Sequence, residues 1–399
     1  MKLAILSDFH LGYDRFREDA YSQAEEALIS AASCADALLL PGDLFDIRAP
    51  KPEVLAEAIN LFRNLSRMDW KTRTVRVEAE GKSYTTVPLI AIAGTHERRA
   101  QRSENPVNLL ALAGMLIDVS DGFAVLEKGN ERVAVYGIGG VSEEQFADTI
   151  RRLNPRPMPG CFNVFMFHQS TKELLPFDSG LACFDDLPKG FDLYVDGHIH
   201  NRVEKKVHGK PFLIPGSTVL TQLKNSEQEE KGFYVYDTAD NSYAFHKITS
   251  RRFVVVKVDA AGKEPMAVSK DIREAIERAI PAGSGKPIIK VEITGKLKPG
   301  FKNLDLDTSA FSKTYKDRAI VEVAKAGMES VETNSDVDAL RKGSFDNVSV
   351  KDYGLGIFVE KLKQNKYDLD ISPSELFEML SSETSKDKAT KKVLEALFP

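Results

Sequence analysis

Gly197-His198-Ile199-His200 follows the short apolar run Phe191-Asp192-Leu193-Tyr194-Val195-Asp196. Read as a strand, that run places His198 and His200 two residues apart, on one side of the chain. Two imidazoles converging at a strand end make half of a metal site. The other half has to come from elsewhere in the sequence.

Acids and histidines elsewhere fall in the same kind of place. Leu3 to Ser7 reads as a buried strand and runs into Asp8-Phe9-His10. Ala37 to Leu40 reads the same way and is followed by Gly42-Asp43. Val87 to Ala93 leads to Gly94-Thr95-His96-Glu97, and Asn163 to Phe167 leads to His168. Helical spacing separates these runs, over about Arg17–Cys34, Pro50–Leu65 and Pro106–Ile117. A further helix, Ser142 to Leu153, opens on capping-box spacing, Ser142-Glu143-Glu144-Gln145. Groups at the C-terminal ends of successive strands in an α/β sheet converge on one edge. Five of the seven histidines are placed this way, and His208 and His246 are not. Imidazole mixed with carboxylate and no thiolate suits Mn²⁺, Fe²⁺ or Zn²⁺ rather than Ca²⁺. That many ligands exceed one site with an open position. Two ions about 3.5–4 Å apart are the expected solution, an arrangement that clamps a phosphate and activates water.

The remaining chain bounds the function. At 399 residues two or three domains are expected. A net charge of −5 gives no bulk signal for nucleic acid, so a phosphate-binding surface has to be a local basic patch or a metal. Cys34, Cys161 and Cys183 show no CxxC spacing and read as free thiols in a reducing cytosol. Met1-Lys2 leads straight into a strand, so no signal peptide is expected. No apolar stretch approaches the roughly 18 residues of a membrane span. After His200 come short strands, Arg202–Val207, Pro211–Ile214, Gly232–Tyr236 and Tyr243–Ile248, which makes residues 1–250 a two-sheet α/β sandwich. An insertion, Arg67 to Thr86, alternates like a hairpin, and its Lys71, Arg73, Arg76 and Lys82 face solvent or phosphate. Residues 251–325 read as a small α+β unit. Residues 326–347 read as a polar, acidic linker. Residues 348–399 hold two amphipathic helices: Val350, Tyr353, Ile357, Phe358 and Leu362 line the first. The second starts at Ser372-Pro373-Ser374-Glu375 and carries Leu376, Phe377 and Leu380, so the pair reads as an interaction module or as a third small core.

Asp-x-His, Gly-Asp, Gly-x-His, His and Gly-His-x-His, in this order, resemble the calcineurin-like metallophosphoesterases. The flanks Ser7-Asp8-Phe9-His10-Leu11-Gly12, Pro41-Gly42-Asp43-Leu44-Phe45 and Pro215-Gly216-Ser217 are similar to the nuclease subunit of the DNA double-strand-break repair complex, in its SbcD-type, archaeal and MRN-complex forms. The resemblance implies that Asp8, His10 and His200 hold one divalent ion, that Asp43 bridges, and that His168 and His198 hold the second, with Mn²⁺ the usual metal. It implies that His96 stands off the metals and stabilises or protonates the leaving group. The implied activity is 3′-to-5′ exonuclease and endonuclease action on DNA. Residues 251–325 would be a DNA-capping domain. The 348–399 helices would dock on an SMC-like ABC ATPase. A homodimer would form through helices near 52–65 and 106–117, where Leu55, Ile59, Phe62, Leu109, Leu110 and Leu112 suit a dimer face and equally a core-facing role. The implied setting is the nucleoid in a prokaryotic cytoplasm.

Two positions depart from the family pattern. Thr95 stands where the family has a metal-ligating Asn, and Glu97 stands for the usual Asp. Beside them Arg98, Arg99 and Arg102 form a basic run that reads equally as a phosphate guide or an ordinary solvated loop. Two other readings keep the same centre: a phosphoesterase of small molecules or proteins, and a DNA-binding scaffold subunit weakened at Thr95.

Overall fold

Every residue of Ala37-Leu38-Leu39-Leu40-Pro41 is buried in strand β2 (Ala37–Pro41). An apolar run without polar alternation belongs in a sheet covered on both faces. In the computed structural model, which describes residues 1–79, 87–98, 104–175, 181–280 and 285–328, β2 lies at such a place. It pairs in parallel with β1 (Lys2–Ile5) and with β4 (Leu89–Ile92). With β5 (Ile117–Asp118), β12 (Gly232–Asp237) and β13 (Ser242–Lys247) they form a sheet of order β13-β12-β1-β2-β4-β5.

The second sheet has the order β10-β11-β9-β8-β7-β6-β3. Its strands are β3 (Arg73–Glu78), β6 (Phe123–Lys128), β7 (Glu131–Ile138), β8 (Phe162–Phe167), β9 (Leu193–Asp196), β10 (Val203–Val207) and β11 (Lys210–Ile214). Between the sheets Leu3, Ile5, Leu39 and Ile92 meet Val135, Val164, Met166 and Val195. The alternate residues Leu38, Leu40 and Ala91 turn the other way. They pack on Leu28 of α1 (Arg17–Cys34), Phe62 of α2 (Pro52–Leu65) and Leu110 of α3 (Pro106–Leu112). On the far face Phe165, Phe167 and Phe212 pack on Phe146 and Ile150 of α4 (Glu143–Leu153). The layers run helix, sheet, sheet, helix, and each fully buried Leu or Phe contributes about 1.5–3 kcal/mol.

Two expectations within the sandwich need correction. The helix expected over 106–117 stops at Leu112. Gly114, at φ +72°, turns the chain, and Ile117 opens β5 against Ile90. The 67–86 insertion is not a free-standing hairpin: Arg73–Glu78 pairs antiparallel with Phe123–Glu127 and forms the edge of the second sheet. Charge on an edge strand discourages further pairing, and Arg73 and Arg76 are engaged by Glu127 and Glu78. Ser83–Thr86 lie outside the described residues.

A third sheet, β14 (Phe253–Asp259), β15 (Ile288–Gly295) and β16 (Ile320–Met328), is covered by α5 (Pro265–Ala279), with α6 (Ser309–Thr314) before its last strand. β14 and β15 run parallel, as a crossover helix requires. Phe253, Ile288 and Ile320 pack on Phe16, Leu220 and Leu223 of the sandwich, and Arg251 reaches Asp19 at 2.6 Å. Ala326–Met328 belong to β16, so they are not linker. The rest of the expected linker and both tail helices lie outside the described residues. The three cysteines are free and half-buried. Among the described residues no helix is long and apolar enough to cross a membrane.

Candidate metal centre

β1 ends at Ile5, yet the chain beyond it stays beside the chain beyond β2. Asp8 N donates to Gly42 O at 3.2 Å, His10 N to Asp43 O at 3.1 Å, and Leu11 bridges to Phe45. Zipped in this way, the two loops force side chains out at unusual angles. Asp8, His10, Asp43 and His198 have φ of 53°, 47°, 49° and 67°. They are four of the seven non-glycine residues with positive φ among those described. Such backbone costs about 1–3 kcal/mol per residue and persists where surrounding structure over-determines it, commonly at functional sites.

The left-handed turn at His198 overturns the strand-based expectation for the opening stretch. β9 ends at Asp196, and the two histidines separate. His200 Nε2 lies 3.2 Å from His10 Nε2 and 3.9 Å from Asp8 Oδ1. His198 Nδ1 instead faces Thr95 Oγ1 at 3.3 Å, with its ring edge-on to His168. Asp8, His10 and His200 form one group of converging ligand atoms; Asp43, His168 and His198 form another.

The first group is built for a cation. Both Asp8 carboxylate oxygens are buried and accept no hydrogen bond among the described residues. Burial lifts that carboxyl to about 6. His10 turns its Nδ1 to Asp46 Oδ1 at 3.2 Å, which directs its Nε2 at Asp8 and His200. An unpartnered buried carboxylate facing two imidazole nitrogens fits a divalent ion of the Mn, Fe or Zn kind.

In the second group His168 Nδ1 donates to Pro41 O at 2.7 Å, so its Nε2 faces Asp43 Oδ2 at 3.1 Å. Burial opposes charge on both residues, but their mutual attraction wins. Asp43 is held well below the usual carboxylate range and His168 is raised to about 10. Burial, then the charge of His168, drops His198 to about 4. Thr95, set aside as a ligand on sequence grounds, puts its hydroxyl in this ring: 3.2 Å from His168 Nε2, 3.3 Å from His198 Nδ1 and 3.5 Å from Asp43 Oδ2.

His96 stands outside both groups and is exposed, next to a cavity of about 300 Å³ lined by Asp46, Ile47, Arg48, Thr95, His96 and Arg98. Its Nδ1 donates to Asp46 O at 2.5 Å, and its backbone N donates to Asp43 Oδ1 at 2.9 Å. Sequence reasoning missed Asp46, although it comes one residue after the quoted Pro41–Phe45 motif. Its carboxylate and carbonyl hold His10 and His96 together. Arg48 was missed as well. Arg98 lines the cavity, while Arg99 and Arg102 lie outside the described residues.

Glu97 holds two loops together. It is fully buried and accepts from Gly94 N at 2.6 Å and Phe45 N at 2.7 Å, tying the β4 loop to the β2 loop. Burial, then the charge of Asp43, lifts its carboxyl to about 8. Glu97→Ala should destabilise the protein by about 2–6 kcal/mol, because two buried amides at about 1–3 kcal/mol each lose their acceptor. Urea unfolding measures this, and a change under about 1 kcal/mol would show that the amides find another acceptor.

The model of the calcineurin-like phosphoesterase family matches residues 1–202, the stretch that contains both groups and His96. The chain belongs to the calcineurin-like phosphoesterases. Among curated relatives of this phosphoesterase, the double-strand break repair protein MRE11 of Encephalitozoon cuniculi is 28% identical over 340 residues, covering 78% of this chain and 57% of that protein. The DNA double-strand break repair protein Mre11 of Methanopyrus kandleri is 27% identical over 319 residues, covering 73% of this chain and 67% of that one. A crystal structure of TT1561 from Thermus thermophilus is 16% identical and covers 62% of this chain and 98% of its own, with a TM-score of 0.35.

Proposed function

We propose that this chain is a two-metal-dependent DNA nuclease of double-strand-break repair. The observation that supports it most is the pair of ligand groups, Asp8–His10–His200 and Asp43–His168–His198, set where two loops hold Asp8 and Asp43 in left-handed backbone. Asp8, His10 and His200 would hold one ion, His168 and His198 the other, and Asp43 would serve both. Bound divalent ions, with Mn²⁺ the expected metal, polarise a phosphodiester and activate water at neutral pH. His96, pinned through Nδ1, keeps Nε2 for the leaving oxygen, and as an imidazolium, with a proton on each nitrogen, it would stabilise that oxygen or hand it the Nε2 proton. Arg98 and Arg48 line the adjoining cavity and would steer the flanking phosphates.

The relatives named for double-strand-break repair are the reason to choose DNA over a small ester. On the same ground residues 251–325 would cap the DNA, residues 348–399 would dock on an SMC-like ABC ATPase, and the working form would be a nucleoid-associated homodimer. The six apolar residues assigned to the dimer face divide sharply. Phe62 and Leu110 are core residues, and Leu55 packs against the core. Leu109 and Leu112 are 44% and 59% exposed, and Ile59 is also exposed. Those three are the ones left exposed to meet a second copy.

The deciding experiment is Mn²⁺-dependent degradation of linear double-stranded DNA, run beside turnover of a generic phosphodiester. DNA cleavage supports the nuclease. Ester turnover without DNA cleavage moves the reading to a small-substrate phosphoesterase. The scaffold alternative depends on Thr95, whose hydroxyl is a weaker donor than an amide carbonyl. Wild type should therefore hold the second ion weakly, and Thr95→Asn should tighten it by roughly 10–100-fold, the range for changes around a metal's ligand shell. Calorimetric Mn²⁺ titration reads this, and two tightly held ions in wild type would refute it.

A further inference from the structure

His200 is clamped from behind by a loop that the proposed chemistry does not use. Gly216, at φ +78°, lies so close that a Cβ there would come within 2.7 Å of His200 O. Ser217 N donates to that same carbonyl at 3.1 Å, and Lys231 Nζ reaches it at 3.4 Å. Against the ring itself stands Thr221, whose Oγ1 is hydrogen-bonded to His200 Nδ1.

Glu227 settles the direction of that bond. Its carboxylate accepts four hydrogen bonds: from Thr221 N at 3.1 Å, Thr221 Oγ1 at 2.9 Å, Gln222 N at 2.8 Å and Lys231 Nζ at 3.2 Å. A carboxylate accepts only, and a threonine hydroxyl has one proton. Thr221 spends that proton on Glu227, so toward His200 it can only accept. The proton of the neutral imidazole is then fixed on Nδ1, and the Nε2 lone pair is left facing Asp8 Oδ1 and His10 Nε2. Glu227 is itself buried and anchored by Lys231, which also donates to Ser217 Oγ at 2.9 Å, and a hydroxyl turned instead toward His200 would set its lone pairs against the Glu227 carboxylate 2.9 Å away.

We infer that Thr221 is a positioning residue for the first metal ion: with its proton taken by Glu227, it locks His200 in the Nδ1–H tautomer that presents Nε2 as a ligand. The inference rests on the metal reading of the Asp8–His10–His200 group and assigns a role in it to a loop some 21 residues further along the chain. Thr221 acts through His200 and touches no substrate.

The test compares Thr221→Val with Thr221→Ser, in the full chain with ¹⁵N-labelled histidine. In metal-free wild type and Thr221→Ser, two-bond ¹H–¹⁵N correlations should show His200 protonated at Nδ1. In Thr221→Val the Nε2–H form should appear. Mn²⁺ titration should then show the first ion weakened by roughly 10–100-fold in Thr221→Val, the second ion unmoved, and Thr221→Ser like wild type. His200 protonated at Nε2 in wild type, or the same tautomer and the same Mn²⁺ affinities in all three proteins, would overturn the inference. A wild type that binds no Mn²⁺ would sink the metal reading instead, and the metal-free spectra would still decide the tautomer. Thr221→Ser alters one methyl group, so it folds if wild type folds and keeps the comparison interpretable.

Discussion

His96→Ala should slow phosphodiester cleavage by about 10²–10⁴-fold and leave metal uptake unchanged. The loss corresponds to about 3–5 kcal/mol of transition-state stabilisation. The placement of the ring supports both halves of the prediction. A ligand in this centre is buried or nearly so, whereas the His96 side chain is 44% exposed. Its Nδ1 is committed to Asp46 O, so only Nε2 is available, and it borders the cavity shared with Arg98. His96 Nδ1, Asp46 Oδ1 and His10 Nδ1 do come close enough to form a third group of ligand atoms. In that group, however, Asp46 Oδ1 lies 3.2 Å from His10 Nδ1 and 3.7 Å from His96 Nδ1, which makes it the partner of His10 first. Calorimetry with Mn²⁺ and a cleavage assay on the same preparation separate the roles. If His96→Ala loses an ion, the ring is a ligand; if cleavage is unchanged, it has no part in the reaction. Rescue of the alanine variant by added imidazole would favour proton transfer over mere positioning.

The sandwich was legible in the sequence because its strands have an unusually uniform environment. Ala37–Leu40 and Phe165-Met166-Phe167 are covered on both faces, so they are apolar throughout, and a polar residue immediately after such a run stands out. The helix stop at Gly114 was visible too, since Ala113-Gly114 is an ordinary C-terminal signal. Apolar spacing carried the expected helix past it to Ile117, which belongs to β5. Strand periodicity failed in the centre itself. It predicted a shared side for His198 and His200, but the chain there is no longer a strand. The sign of φ at Asp8 and Asp43 comes from two loops closing on each other, and no local propensity encodes that. Only the family resemblance separated the two histidines. For Asp46, Thr221, Glu227 and Lys231 the difficulty was distance. Each acts on a histidine 21 to 50 residues away through an irregular loop, where spacing carries no information. Glu97 showed in the sequence only as a departure from the usual Asp, because its partners, the amides of Gly94 and Phe45, are set by the two loops meeting.

Asp43→Asn should cost more activity than any other single change, because Asp43 is the one carboxylate assigned to both ions. Asparagine tolerates left-handed backbone, so φ +49° need not change. The amide also fits the hydrogen bonds. Its oxygen can accept from His96 N, as Asp43 Oδ1 now does, and its NH₂ can donate to His168 Nε2, where Oδ2 now stands. The space admits little else, since a Cβ on Gly94 would lie 2.1 Å from Asp43 Oδ1. The metal-free variant should therefore fold, but it gives up the attraction between Asp43 and His168 and should melt below metal-free wild type at neutral pH. Metal binding is another matter: an NH₂ group turned toward His168 offers no lone pair, and the negative charge between the two groups is gone. Mn²⁺ at about a hundred times its dissociation constant stabilises a single-site protein by about 2.7 kcal/mol. That gain should appear in wild type and largely vanish in Asp43→Asn. Cleavage should fall by about a thousandfold or more, the equivalent of the several kcal/mol that metal ions contribute to such transition states. Thermal melts with chelator and with Mn²⁺, alongside the DNA cleavage assay, read all three effects. Two ions retained with activity within about tenfold of wild type, a change of about 1.4 kcal/mol, would remove Asp43 from the bridge. A metal-free variant that fails to fold would show that Asp43 is needed for the loops to close, and Mn²⁺ stoichiometry of a Thr95→Asn protein would then be the remaining measure of the second site.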